Sequence, residues 1–329
     1  MQASRHNCLN LIRLLTAFQV MFGHILLHLD VDVPEGVSII VWMFRGVPIF
    51  FGLSGFLIWF SIERTENWKV YAKKRFWRIY PELWIGVAVE AIVLLLMYRI
   101  TDVVKFVLFL FGQATIFQFW TPDSLRGYGC GTPNGSLWTI CVTIQFYVIA
   151  WGLYKFLHGK SLRRWIGTWF GVLCLSKFLE LLLGRFAPII INKLYGQTII
   201  RYLWLFVLGS FLAEFYGTIL PYLKKYWMLL LAISVLIYLT GVDFNVGYGV
   251  IQSIFMFAGV LGFAYRFPQV EIKRDISYGI YIFHMTVVNV LIEQGVTGRL
   301  MSVVVVVVAS CVLAFVSSKI VEMSRRRFC

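Results

Sequence analysis

Eleven apolar runs, most of them close to the length needed to cross a bilayer, fill this chain of 329 residues and leave no stretch long enough to fold alone in water. A helix spans the hydrocarbon core with about 20 predominantly apolar residues. Such runs lie near 9–29, 38–62, 82–99, 104–120, 136–156, 165–183, 198–216, 226–241, 247–265, 276–294 and 300–322. Hydrophobic residues make up 60% of the chain and charged residues 14%, with a mean hydropathy of +0.79. A soluble domain carries roughly 25% charged residues. The runs stay apolar for a whole span instead of alternating, which excludes a porin-like barrel, and their hydropathy excludes disorder. The fold class is therefore all-α, a polytopic membrane helical bundle formed as one transmembrane domain over 1–329.

The basic residues fix the number of crossings. The formal net charge is +14, which in a soluble protein would suggest nucleic acid. Here most Lys and Arg sit between apolar runs and read as topology signals, so no nucleic-acid partner is expected. Clusters occur at Arg64, Lys69, Lys73, Lys74, Arg75 and Arg78; at Lys155, Lys160, Arg163 and Arg164; at Lys224 and Lys225; at Arg266, Lys273 and Arg274; and at Arg325, Arg326 and Arg327. All should face the cytoplasm. If every run crossed, the 155–164 cluster would fall outside. The weakest run is 104–120, which is short, holds Gln113 and Gln118 and leads into the Gly/Pro-rich stretch 121–136. The sequence thus predicts ten spanning helices plus one re-entrant or interfacial segment, both termini cytoplasmic, with 121–136 on the outer face. The first run carries Arg13 and His24 and lacks a small-residue cleavage site, so it reads as the first helix and not as a signal peptide.

Six cysteines (Cys8, Cys130, Cys141, Cys174, Cys311, Cys329) form no CxxC pair and no metal-ligand spacing, so neither disulfides nor a metal site is expected.

Ionisable residues inside spans are functional candidates because burying them is costly. Arg13 and His24 are 11 positions apart, which on a helix returns to nearly the same face about 16 Å further along. Arg13 would lie near the cytoplasmic entrance, where a fixed cation suits a phosphate. His24 would sit deeper, where imidazole can accept a proton from a hydroxyl. The alternatives are an arginine reaching for headgroups and a core histidine bonded to a carbonyl. In KKRFWRIYP, Lys74, Arg75 and Arg78 make a cationic edge before Pro81 that suits phosphates as well as topology. The run GVPIFFGLSGF (46–56) places Ser54 and three glycines in a span, which suits close helix packing or a narrow passage. Lys177 and Glu180 are spaced to neutralise each other, and Glu90 has no partner visible in sequence. His284 lies in DISYGIYIFHM with Ser277, Tyr278 and Tyr281, either as a site or as polar contacts between helices.

In order along the chain these segments resemble the acyltransferase 3 family of integral membrane acyltransferases. The R-x10-H signature matches Arg13 and His24, the Gly-x-x-x-Phe-Phe-x-x-Ser-Gly-Phe stretch matches 46–56, and RxxR-x-x-P matches Arg75, Arg78 and Pro81. SLWTICVTIQFY (136–147), SYGIYIFH (277–284) and the VE at Val321 and Glu322 follow. One position departs: where the family carries a Glu five residues after the Trp, this chain has Thr143.

The resemblance implies a bacterial inner-membrane enzyme that moves an acyl group, commonly acetyl, from cytoplasmic acyl-CoA to a hydroxyl of a carbohydrate or lipid-linked glycan. Acetyl-CoA is then a co-substrate, with no bound cofactor and no metal. On this reading His24 is the base or acyl carrier, and Arg13, Thr143 and Tyr147 complete the catalytic set. Arg75, Arg78 and Lys74 hold the CoA phosphates, Ser54, Trp138, Tyr281 and His284 line the substrate pocket, and Tyr147 or Trp138 helps the developing oxyanion. Membrane lipids surround the chain, and self-association is left open. Two alternatives remain: a transporter or flippase of a lipid-linked sugar, although the chain has no P-loop and no inverted halves, and a catalytically impaired relative, because Thr143 removes a carboxylate.

Overall fold

The computed structural model describes residues 7–65, 67–243, 248–267, 272 and 274–328, the last four without their side chains. Lys273, Cys329 and the side chains of Arg325, Arg326 and Arg327 lie outside the described residues. The elements are α1 (Leu9–His28), α2 (Glu35–Met43), α3 (Gly46–Glu63), α4 (Trp68–Met97), α5 (Val103–Ala114), α6 (Trp138–Leu157), α7 (Leu162–Phe186), α8 (Ile189–Tyr195), α9 (Ile199–Glu214), α10 (Tyr216–Thr240), α11 (Val250–Arg266), α12 (Ser277–Glu293) and α13 (Leu300–Phe328). No strand occurs among the described residues.

Among the described residues, eight helical stretches are long and apolar enough to cross a membrane. Their outer surfaces are apolar too: Leu96, Ile189 and Val148 are 80%, 76% and 74% exposed, which suits lipid and not water. The apolar run 38–62 is not one helix, because the chain breaks at Phe44 and Arg45 between α2 and α3. The weak run at 104–120 is helical only over α5, twelve residues. At 1.5 Å per residue that is about 18 Å, short of the roughly 30 Å hydrocarbon core. Asp102 starts α5 by accepting a hydrogen bond from the Lys105 backbone N–H at 2.9 Å. That N–H, with Lys105 itself, holds the exposed Asp102 carboxyl below its usual range. Helices α11 and α12, at 17 residues each, are shorter than the spanning stretches.

The chain divides into two compact units. The first comprises 1–12, 46–73 and 142–271. Its core is α3 against α9, and glycines set the approach. A Cβ on Gly55 would fall on the Phe206 carbonyl, and one on Gly209 would fall on the Gly52 carbonyl. Gly55 and Gly209 thus serve backbone-to-backbone packing, while Gly52 leaves room for the Phe257 ring, with Phe51, Phe146 and Tyr202 ringed around the contact. Gly55→Ala should therefore cost about 3 kcal/mol, since main chain must move. Gly171→Ala, on α7 with open space around it, should be neutral or stabilising by up to about 1 kcal/mol. Thermal unfolding in detergent compares the two, and equal midpoints would contradict the packing argument. On α7, Lys177 pairs with Glu180 at 3.1 Å as its spacing suggests, and Arg201 from α9 joins the same carboxylate at 2.6 Å.

The second unit comprises 13–45, 74–141 and 272–329. Its centre is α12, nearly all of which is buried. α13 packs on it where Gly279 meets Ala314. α4 packs on it where Gly86 leaves room for Ile282 and where Glu82, bonded by Ser317 at 2.9 Å, meets Gly279. The pairs Arg78 with Asp275, Glu82 with Gly279 and Gly86 with Ile282 advance together, so α4 and α12 run in the same direction. α1 runs with them, since Arg13 meets Asp275 and His24 meets His284.

Candidate active site

Two histidines far apart in sequence meet in the second unit. His24 Nδ1 on α1 lies 2.7 Å from His284 Nε2 on α12, with the rings only 12° from coplanar and their centroids 5.0 Å apart. The rings therefore face each other edge to edge, as an in-plane hydrogen bond requires. His284 is completely buried, whereas His24 is partly exposed.

The partners assign the tautomers. His284 Nδ1 lies 3.0 Å from the Ile280 carbonyl, an oxygen that only accepts, so this nitrogen carries a proton. In a neutral ring Nε2 is then an acceptor, and the proton between the rings belongs to His24 Nδ1. His24 Nε2 is left bare, with its lone pair available. A protonated His284 would bury a charge with no carboxylate bonded to it among the described residues, a costly arrangement.

A second cluster gathers one layer below, at the start of α12. Asp275 Oδ2 takes Arg13 at 2.7 Å and Arg78 at 3.2 Å. Its other oxygen accepts from the Ser277 backbone N–H at 3.1 Å and from the Ser277 hydroxyl at 2.5 Å. Two guanidiniums on one carboxylate leave a net positive charge at a partly exposed site, suited to an anion. Arg13 lies about 16 Å along α1 from His24. It acts in this cluster and does not touch the histidine pair.

The Gly/Pro stretch between α5 and α6 lies along α12 as a strap. The Asn134 amide donates to the Ile282 carbonyl at 2.8 Å, and the Ser136 hydroxyl donates to the Tyr281 carbonyl at 3.0 Å. In return the Asn289 amide donates to the Thr132 and Pro133 carbonyls at 2.9 and 2.7 Å. The Gly129 and Cys130 backbone N–H groups donate to Glu293 and Asn289 at 2.6 and 2.9 Å. Next to the histidines, the Thr139 hydroxyl donates to the Tyr281 hydroxyl at 2.7 Å, which donates in turn to the Ser136 carbonyl. The Tyr281 ring stands edge-on to His284 at 5.9 Å.

Of the residues singled out in sequence, the second unit brings together His24, His284 and Tyr281 in one place and Arg13 with Arg78 in another. Lys74 and Arg75 precede Arg78 on α4, Lys74 exposed and Arg75 partly so, and Trp138 opens α6. Ser54, Thr143 and Tyr147 belong to the first unit. There Ser54 lies on α3, and the Tyr147 carbonyl accepts from the Tyr71 hydroxyl at 3.1 Å. Sequence reasoning missed Asp275, although an Asp two residues before a helix-opening Ser is an N-terminal signal. It also missed Asn134 and Asn289.

A family model described as an acyltransferase domain, Acyl_transf_3, matches residues 6–319. Nodulation protein 10 of Rhizobium leguminosarum bv. viciae is 28% identical over 347 aligned positions, covering 97% of this chain and 93% of that protein. No solved structure matches the chain.

Proposed function

The chain belongs to the acyltransferase 3 family of membrane proteins, and from that premise we propose that it moves an acyl group, acetyl in the simplest case, from cytoplasmic acyl-CoA to a hydroxyl of a carbohydrate or lipid-linked glycan. The observation that carries the reading is the bare Nε2 of His24, set by its bond to His284. A nitrogen of this kind beside an acceptor hydroxyl is a general base.

In the proposed step His24 Nε2 takes the acceptor proton as the hydroxyl oxygen attacks the thioester carbonyl. The carbon–sulfur bond then breaks, and the departing thiolate of CoA takes the proton from His24. The ester and CoA thiol leave, and His24 is neutral again. While it is charged, its Nδ1–H stays bonded to His284 Nε2, and His284 Nδ1–H stays on the Ile280 carbonyl. Two aligned hydrogen bonds thus support the imidazolium without a buried carboxylate.

On the donor side, Arg13 and Arg78 at Asp275 supply the net positive site for CoA phosphates, with Arg75 and Lys74 beside it on α4. An extended pantetheine arm bridges the distance of about 16 Å from Arg13 to His24. This arrangement accords with a bacterial inner-membrane protein of ten spans, both termini and the Asp275 layer on the cytoplasmic side. α11 and α12 complete the count, and α5 stays on the outer side.

His284 already holds His24 Nδ1, so His24 needs no carboxylate to fix its tautomer. Purified protein in liposomes with radiolabelled acetyl-CoA and membrane glycan should form labelled ester, and Thr143→Glu should change the rate by less than about threefold. If only Thr143→Glu transfers label, the chain is an impaired relative. Glycan crossing the bilayer without CoA dependence would instead make it a transporter.

A further inference from the structure

Glu90 on α4 is 1% exposed, and neither carboxyl oxygen has a hydrogen-bond partner among the described residues. Leaving such a group unpaired is costly, and it is stable there only as a neutral acid or with a partner that comes and goes. A second orphan lies in the same unit, the buried hydroxyl of Tyr128 on the strap. The Tyr128 ring lies in a buried cluster with Leu94 of α4, one turn beyond Glu90, and Ala91 packs against the same cluster, which places Tyr128 beside the Glu90 turn of α4.

Register places Glu90 relative to the histidines. Arg78, Glu82, Gly86 and Glu90 recur every four residues, one stripe of α4. The first three meet α12 at Asp275, Gly279 and Ile282. One more turn brings Glu90 level with Thr286, half a turn beyond His284 and at the height where Asn134 of the strap reaches α12.

We propose that Glu90 and Tyr128 form the acceptor side of the active site, where they bind the hydroxyls of an uncharged polyhydroxylated segment such as a neutral sugar ring. The inference rests on the acyl-transfer reading above and adds which kind of acceptor fits. A carboxyl and a phenol together donate to and accept from vicinal hydroxyls, and they satisfy both orphans at once. Glu293, bonded to the Gly129 N–H on the same strap, adds negative charge nearby, so an anionic sugar or a phosphate is disfavoured.

The test uses the full-length protein in liposomes, acetyl-CoA, and lipid-linked glycan from the producing membranes, split by anion exchange into neutral and acidic fractions. Dicyclohexylcarbodiimide should label Glu90, read by peptide mass spectrometry. The neutral fraction should slow labelling at least fivefold, whereas the acidic fraction and acetyl-CoA should not. This readout needs no turnover, so it stands even if acyl transfer fails. Where transfer is seen, Glu90→Leu and Tyr128→Phe should each raise the half-saturating amount of neutral glycan about tenfold or more and leave that of acetyl-CoA unchanged. Glu90→Leu should also raise the melting temperature, since it removes an unpaired buried acid, so misfolding cannot explain the loss. Labelling indifferent to neutral glycan, or Glu90→Leu with unchanged glycan dependence, would overturn the proposal.

Discussion

His24→Ala should lower acyl transfer by about a thousandfold, a loss within the range for removing a positioned general base. The half-saturating acetyl-CoA concentration should barely move, because the Arg13–Asp275–Arg78 cluster is about 16 Å away. The alanine also leaves the buried His284 Nε2 without its donor, which costs about 1–3 kcal/mol. A second variant separates chemistry from stability. In His24→Asn the side-chain NH2 sits near the position of Nδ1 and can still donate to His284, but no basic nitrogen replaces Nε2. This variant should melt close to the parent and be as inactive as the alanine. An active His24→Asn would remove histidine from the chemical step.

His284→Leu should cost about a hundredfold in turnover. The leucine fills the space but accepts no hydrogen bond, so His24 loses the partner that keeps its proton on Nδ1 and its ring in plane. A share of the molecules then carries the proton on Nε2, where it blocks the base. His284→Gln places an amide oxygen near the position of Nε2 and keeps an acceptor for His24 Nδ1. It should recover most of the loss, to within about tenfold of the parent. A purely packing role for His284 predicts the reverse order, with leucine tolerated and glutamine destabilising in a fully buried place. Turnover and melting temperature measured together on both variants decide between the two.

What could be read in the sequence follows from what is local. Spacing alone put Arg13 and His24 on one side of α1 and paired Lys177 with Glu180, because helical geometry fixes such relations within a few turns. The polar, short run at 104–120 declared its own weakness, and α5 is correspondingly brief. The third partner in each case was out of reach. Arg201 joins Glu180 from another helix, and His284 joins His24 across 260 positions, neither of which any periodicity encodes. Asp275 was hidden for a different reason: an acid beside a basic cluster reads as loop charge until the fold shows that it gathers Arg13 and Arg78. The break at Phe44 and Arg45 did leave a signal, the charged Arg45 followed by Gly46 and by Pro48 in the first turn of α3, but the apolar residues on either side outweighed it.

The grip between strap and helix consists largely of a side chain on one partner holding main chain on the other. Asn134 holds the carbonyl of residue 282, and Asn289 holds those of residues 132 and 133. Such a clasp is indifferent to what the gripped residues are. Position 132, which is partly exposed, is thereby free to drift while the fastening keeps its register, whereas the buried Pro133 and Ile282, the latter packed against Gly86, are held by their side chains as well. The strap can change there without unpicking the seam, provided that both asparagines stay.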